Sequence, residues 1–199
     1  MQNNFDACMA KVFASEGGYV NDDRDPGGET NFGISKRSYP NEDIRNMTKA
    51  RAALIYRRDF WNAVKGDELP AGLDLVAFDA AVNSGPSRGA KWLQSAIGVA
   101  ADGRIGPQTL AAARTAPSTA IDRACNARLG WLRTLSTWKH YGNGWTRRVE
   151  GVRDLAHDMF AKPAKPNTSP EHVRESDIPG FVIGAAIIVV AVVIVLLKS

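Results

Sequence analysis

Apolar positions recur at helical spacing through most of the chain. Phe5, Cys8, Met9, Val12 and Phe13 form one apolar face over the first thirteen residues, the signature of an amphipathic helix. Residues 48–61 open on a possible Thr48 cap and carry Ala52, Ala53, Ile55, Tyr56 and Phe60 among basic residues, which predicts a second helix. The stretch 73–82 (LDLVAFDAAV) is almost entirely apolar, the pattern of a helix buried on all sides. Amphipathic patterns predict further helices over 88–97, 107–114, 120–135 and 145–160, the third of these opening with Asp122 and Arg123 in an otherwise apolar run. Pro107 suits a first helical position. The exception is 17–38, dense in Gly, Asp and Asn around Pro26, which predicts irregular backbone or a small hairpin.

The pattern changes after residue 161. Residues 162–179 hold four of the ten prolines and no apolar periodicity, which reads as a linker, partly polyproline II, with a reach on the order of 50 Å. From Ile178 to Leu197 twenty residues pass without a charge. As a helix they would span about 30 Å, the thickness of a bilayer core. Val and Ile dominate this stretch, but a buried strand pair would need a turn signal in its middle, and Gly184 lies near its start. Residues 180–197 are therefore expected to form a transmembrane helix, with Gly180 and Gly184 as a GxxxG pair. The expected architecture is mainly α: a helical body with a small irregular or hairpin segment, plus one C-terminal transmembrane helix.

Over all 199 residues the chain is 44% hydrophobic and 23% charged, a folded composition rather than a disordered one. Setting aside the tail, 24 basic and 21 acidic residues leave the body at +3. That balance and a pI near 9.2 suit an anionic wall polymer or membrane surface; without a nucleic-acid motif, no nucleic-acid partner is expected. Two cysteines, Cys8 and Cys125, do not make a disulfide scaffold. The N-terminus lacks the basic and apolar regions of a cleavable signal peptide. His140, His157 and His172 have no ligand spacing, so neither metal nor cofactor is expected.

Candidate chemistry gathers where the first helix ends. Glu16 stands at the edge of the Gly-rich segment, and Asp22, Asp23, Asp25 and Glu29 follow. Partial burial raises a carboxyl pKa toward the range a general acid requires, and paired carboxylates are the minimum equipment for glycoside hydrolysis. Acidic turn residues also commonly do no more than cap helices and meet water. The run Glu16-Gly-Gly-Tyr-Val-Asn-Asp-Asp-Arg-Asp-Pro-Gly-Gly-Glu-Thr-Asn-Phe-Gly-Ile-Ser35 resembles the signature of glycoside hydrolase family 108, the phage and prophage N-acetylmuramidases of the lysozyme-like superfamily. Leu69-Pro70 and Phe78-Asp-Ala-Ala-Val-Asn-Ser-Gly85 also match that family's pattern. The run from Trp92 through Asp102-Gly-Arg-Ile-Gly-Pro107 to Leu110 is similar to the peptidoglycan-binding segment fused behind it.

The resemblance implies a lysozyme-like fold and cleavage of the glycan between N-acetylmuramic acid and N-acetylglucosamine. It makes Glu16 the acid that protonates the glycosidic oxygen. Asp25 matches the aspartate that wider phage lysozymes place after eight intervening residues; Thr30 comes after four more, where those enzymes have five. Asp25 and Thr30 are then expected to hold the attacking water, giving inversion, which needs carboxyl groups about 6.5–9.5 Å apart rather than about 5–5.5 Å. Tyr19, Asn31, Tyr56 and Asn83 are the candidate substrate-binding residues. Asn83 with Ser84 equally reads as an ordinary helix end, and Tyr56 with Trp61 as core. The spacing of Trp131, Trp138 and Trp145 reads as a buried helix seam.

The expected organisation is a catalytic region over 1–86, a peptidoglycan-binding-like region over 87–161 packed on it, a linker and an anchor. The partners are peptidoglycan strands and, through the tail, a lipid bilayer. The enzyme would sit on the host inner membrane with its body toward the periplasm, or in a virion membrane. A lytic transglycosylase or a non-catalytic glycan-binding module are the alternatives.

Overall fold

The computed structural model describes residues 4–21 and 28–162. Seven α-helices and one hairpin make up its regular structure: α1 Phe5–Ser15, β1 Thr30–Asn31, β2 Ile34–Ser35, α2 Lys49–Tyr56, α3 Leu73–Ser84, α4 Pro86–Ala96, α5 Pro107–Arg114, α6 Thr119–Arg133 and α7 Trp138–Ala161. The strands are antiparallel, Thr30 opposite Ser35 and Asn31 opposite Ile34, joined by Phe32 and Gly33. Thr48 caps α2 by accepting the Arg51 N–H at 3.1 Å. Beyond Tyr56 that helix widens into a π-helical turn, Arg57–Trp61. Pro107 opens α5, where its missing N–H costs nothing.

All twelve residues of α3 are buried, as its almost entirely apolar run predicts. It touches α1, α4, α6, α7 and the π-helical turn. Its closest neighbour is α4, and Gly89 is what allows the approach: a Cβ there would stand 2.8 Å from the Ala81 nitrogen and 2.9 Å from the Ala77 carbonyl oxygen. One apolar core runs from Phe5 in α1 to Ala156 in α7. Trp61 lies at its heart, edge-on to Phe5 at 5.4 Å and to Phe78 at 5.3 Å. Its indole N–H donates to Asp67 at 3.0 Å, so a fully buried ring keeps its polar atom satisfied. Cys8 and Cys125 are free and buried.

Two expectations need correction. The last helix begins at Trp138, seven residues before its amphipathic pattern becomes obvious. The three tryptophans do not share one seam, because Trp131 belongs to α6 and the other two to α7. Trp131 packs on Trp92 at 5.7 Å, beneath the Arg88 guanidinium at 4.1 Å, while Trp138 meets Trp145. The Asp102–Pro107 turn hangs on Gln94, whose amide donates to Asp102 Oδ1 and the Arg104 carbonyl and accepts the Gly103 N–H. No helix among the described residues is long and apolar enough to cross a membrane. The expected membrane helix and all but the first residue of the linker lie outside the described residues.

Candidate active site

Glu16 is the first residue past α1. Its backbone is extended (φ −96°, ψ 142°), yet its N–H still donates to the Val12 carbonyl at 3.1 Å. The chain thus leaves the helix abruptly and the side chain turns inward, where only 2% of it is exposed. Arg148, from the middle of α7, donates through Nη1 to Oε1 at 2.8 Å. No described residue donates a hydrogen bond to Oε2. That oxygen faces the hairpin turn at Gly33, where a Cβ would stand only 2.7 Å away. Gly33 adopts φ +75°, so both its backbone and its position favour glycine. Tyr56 braces the same turn by donating to the Phe32 carbonyl at 3.0 Å.

Behind Glu16 lies a buried group of charges. Asp79, fully buried in α3, accepts from Arg128 Nη1 of α6 at 2.6 Å and from Arg148 Nε at 3.0 and 3.2 Å. Arg148 Nη2 lies 2.9 Å from Asp79 Oδ1, but off the line of a hydrogen bond. Arg128 Nη2 continues to Asn83 Oδ1 at 3.1 Å. Burial of this quality is expensive unless charges balance, and Glu16, Asp79, Arg128 and Arg148 sum to zero when both acids are ionised.

The two carboxyls nevertheless differ. Burial pushes Glu16 above the ordinary carboxyl value; Arg148 pulls it back through charge and hydrogen bond, and Asp79 pushes it up again. Burial would raise Asp79 as well, but two arginines outweigh it and hold the group down to about 2. Glu16 is therefore the carboxyl that can carry a proton, and Oε2, which takes no hydrogen bond from the described residues, is the oxygen to offer it. Tyr56 is held well above its usual range by burial and by the charge of Glu16, so it stays neutral and works as a donor.

The other sequence candidates fall unevenly around this centre. Asp25 lies outside the described residues. Thr30 is half-buried in β1, and its hydroxyl donates to the Gly28 carbonyl at 3.2 Å. Asn31 is buried, its amide given to the Ile44 carbonyl at 3.1 Å. Tyr19 is 41% exposed; its hydroxyl donates to Glu29 at 2.7 Å and Arg45 stacks over its ring. Tyr56, read from sequence as a possible sugar platform, is 1% exposed. Its ring has no face open to a substrate, and its role is to support the hairpin. Asn83 is also buried, and its carbonyl oxygen is taken by Arg128, while its amide nitrogen finds no partner among the described residues.

Sequence reasoning missed Asp79, Arg128 and Arg148. The available signal was Asp79 itself, an acid inside an apolar run that burial would not tolerate without a cationic partner. Nothing local identifies that partner, because Arg148 stands 132 positions from Glu16 and 69 from Asp79. Among the described residues no group of acids, histidines or cysteines is placed to hold a metal.

A family model for glycosyl hydrolase 108 matches residues 9–85. The solved structure of Brucella abortus SagA superposes with a TM-score of 0.72 at 42% sequence identity, covering 80% of this chain and 97% of that one. The chain belongs to glycosyl hydrolase family 108. No curated protein matches it. The family 108 enzyme is thus a glycoside hydrolase, a lysozyme-like N-acetylmuramidase, with peptidoglycan as its substrate class. Residues 9–85 supply Glu16, Gly33, Tyr56 and Asp79, whereas both arginines come from beyond the matched segment. The buried charge cluster in this enzyme is therefore completed by α6 and α7.

Proposed function

We propose that the enzyme cleaves the β-1,4 bond between N-acetylmuramic acid and N-acetylglucosamine, with Glu16 as the general acid. The observation that carries this reading is the state of Glu16: a buried carboxyl, raised above its ordinary value, with one oxygen held by Arg148 and no donor on the other among the described residues. In glycan cleavage the acid protonates the leaving oxygen as the bond to the anomeric carbon breaks, a transfer worth roughly 10²–10⁴-fold in rate. Asp25 and Thr30 hold the attacking water on the opposite face of the sugar, giving inversion. Thr30 keeps its acceptor lone pairs for that water while its proton goes to Gly28. Tyr19, 41% exposed with Arg45 over its ring, offers the sugar chain an aromatic contact at the surface. Asn31 and Asn83 act behind the surface, where their hydrogen bonds hold the hairpin and the end of α3.

The sequence of the tail supports a membrane-anchored form: residues 162–179 as tether and 180–197 as the spanning helix, with the body reaching the wall. A charge-free stretch of twenty residues, Ile178 to Leu197, followed by Lys198, is the basis of that assignment. The biological setting that fits such a tether is phage-mediated opening of the wall, in lysis or infection.

Mass spectrometry of the products made by the full chain from purified peptidoglycan tests the chemistry. Muropeptides with reducing N-acetylmuramic acid ends are expected. Ends carrying a 1,6-anhydro sugar would replace hydrolysis with transglycosylation, which needs one acid and no activated water. Soluble fragments absent altogether would leave a glycan-binding protein.

A further inference from the structure

Asp79 does more than balance the charge of Arg148, the ion-pair partner of Glu16. It is fully buried and out of reach of any substrate, yet two arginines converge on it. A guanidinium presents Nε–H and one Nη2–H along a single edge. Asp79 lies along that edge of Arg148, with Nε at 3.0 Å and Nη2 at 2.9 Å from Oδ1. Arg148 is left to reach Glu16 through Nη1, on Oε1, at 2.8 Å. An arginine released from that edge would grip a carboxylate by both oxygens in the usual fork. A forked Glu16 would be held as an anion, with no oxygen left for a proton.

Charge counting points the same way. Protonating Glu16 leaves Asp79, Arg128 and Arg148 at a net +1. Without the Asp79 charge the same protonation would leave +2 in a site almost closed to water. The charged and titratable groups facing Glu16 among the described residues are Arg148 from α7, Asp79 from α3 and Tyr56 from α2.

We propose that Asp79 is a positioning residue for the general acid: backed by Arg128, it holds the Nε edge of Arg148, so that one N–H reaches Oε1 of Glu16 and Oε2 stays free to deliver the proton. The inference rests on Glu16 being the acid. A purely structural Asp79 would neutralise the arginines without governing where the proton sits, and the two roles separate by experiment.

The test titrates the Glu16 carboxyl by carbon-13 NMR in the full chain in detergent, its signal assigned by loss in Glu16→Gln, beside the pH profile of kcat/KM. Asp79→Asn removes a charge that favours protonated Glu16. Its titration midpoint should fall by at least about one unit, and the alkaline limb of the profile should follow it, an activity loss of about tenfold on that limb. Arg148→Gln should move both in the opposite direction. Because Asp79→Asn strands two buried arginines, the double variant Asp79→Asn with Arg128→Gln removes an opposite pair together, and circular dichroism confirms its fold. Its midpoint should fall in the same direction. Folded variants that lose activity with an unmoved midpoint and limb would make Asp79 structural and overturn the proposal. If Glu16→Gln keeps wild-type turnover, the reading of Glu16 as acid falls, and the proposal with it, whatever the titration shows.

Discussion

Replacing Gly33 by alanine puts one methyl group where the geometry says the acid has no room to yield. The new Cβ would stand 2.7 Å from Glu16 Oε2 and also against the Tyr56 hydroxyl, whereas ordinary contact begins at 3.4 Å. Relief of the Oε2 contact therefore requires a movement of about 0.7 Å, and the nearer Tyr56 hydroxyl must give by more. The hairpin is braced by Tyr56 on the Phe32 carbonyl, and the carboxyl is tied at its other oxygen by Arg148. Displacements near 1 Å in a catalytic group cost on the order of 100-fold, so kcat/KM should fall by roughly tens-fold. The backbone adds its own cost, about 1–2 kcal/mol for a left-handed alanine. Gly98 isolates that cost, since it has φ +76° and nothing within 4 Å of a built Cβ. Gly98→Ala should lower the melting temperature by a few degrees and leave turnover unchanged. The assay is release of soluble muropeptides over a range of substrate concentrations, with thermal melts alongside. Gly33→Ala turning over within twofold of Gly98→Ala would refute the claim that the hairpin positions Oε2.

Asp74, 1% exposed at the start of α3, is pushed up to about 6 by burial, against the pull of Asn4 and the Leu75 N–H. A carboxyl raised on folding contributes stability below its unfolded value near 4 and loses it as pH rises through 6. Urea unfolding at pH 4 and pH 7 should therefore show the balance shifting toward Asp74→Asn, relative to wild type, by on the order of 2–3 kcal/mol; parallel curves would contradict the burial argument. Deleting residues 178–199 should leave turnover on dispersed peptidoglycan intact and abolish sedimentation with lipid vesicles. A truncated protein that still sediments would remove the anchor from the account.

The sequence was most legible where one short segment sets its own environment. LDLVAFDAAV has no polar face to offer water, so α3 had to be central. The Gly-rich run after α1 marked the hairpin because Gly33 supplies a backbone angle that other residues avoid. Glu16 stood out as the candidate acid because it ends a helix inside a recognisable motif, and its burial against Arg148 is what the fold adds. The start of α7 was hidden because His140, Gly142, Asn143 and Gly144 are weak helix formers. Packing overrides them: Gly142 lies so close to the Trp138 ring that a Cβ would collide with it. Tyr56 and Trp61 illustrate a second limit, since an aromatic residue at helical spacing looks the same whether it faces sugar or core. The arginines behind Glu16 were beyond reach for another reason. Their partners are set by how α3, α6 and α7 pack, and no local pattern encodes a contact across 132 positions.

The central claim is that Glu16 supplies the proton for glycan cleavage. Its most direct test is the turnover of Glu16→Gln on purified peptidoglycan, beside wild type of equal fold and equal affinity for the glycan. Glutamine fills the same space and can still accept from Arg148, but it has no acidic proton to give. The account predicts a kcat lower by about 10²–10⁴-fold with binding retained. A variant that releases muropeptides at a rate near wild type would contradict it.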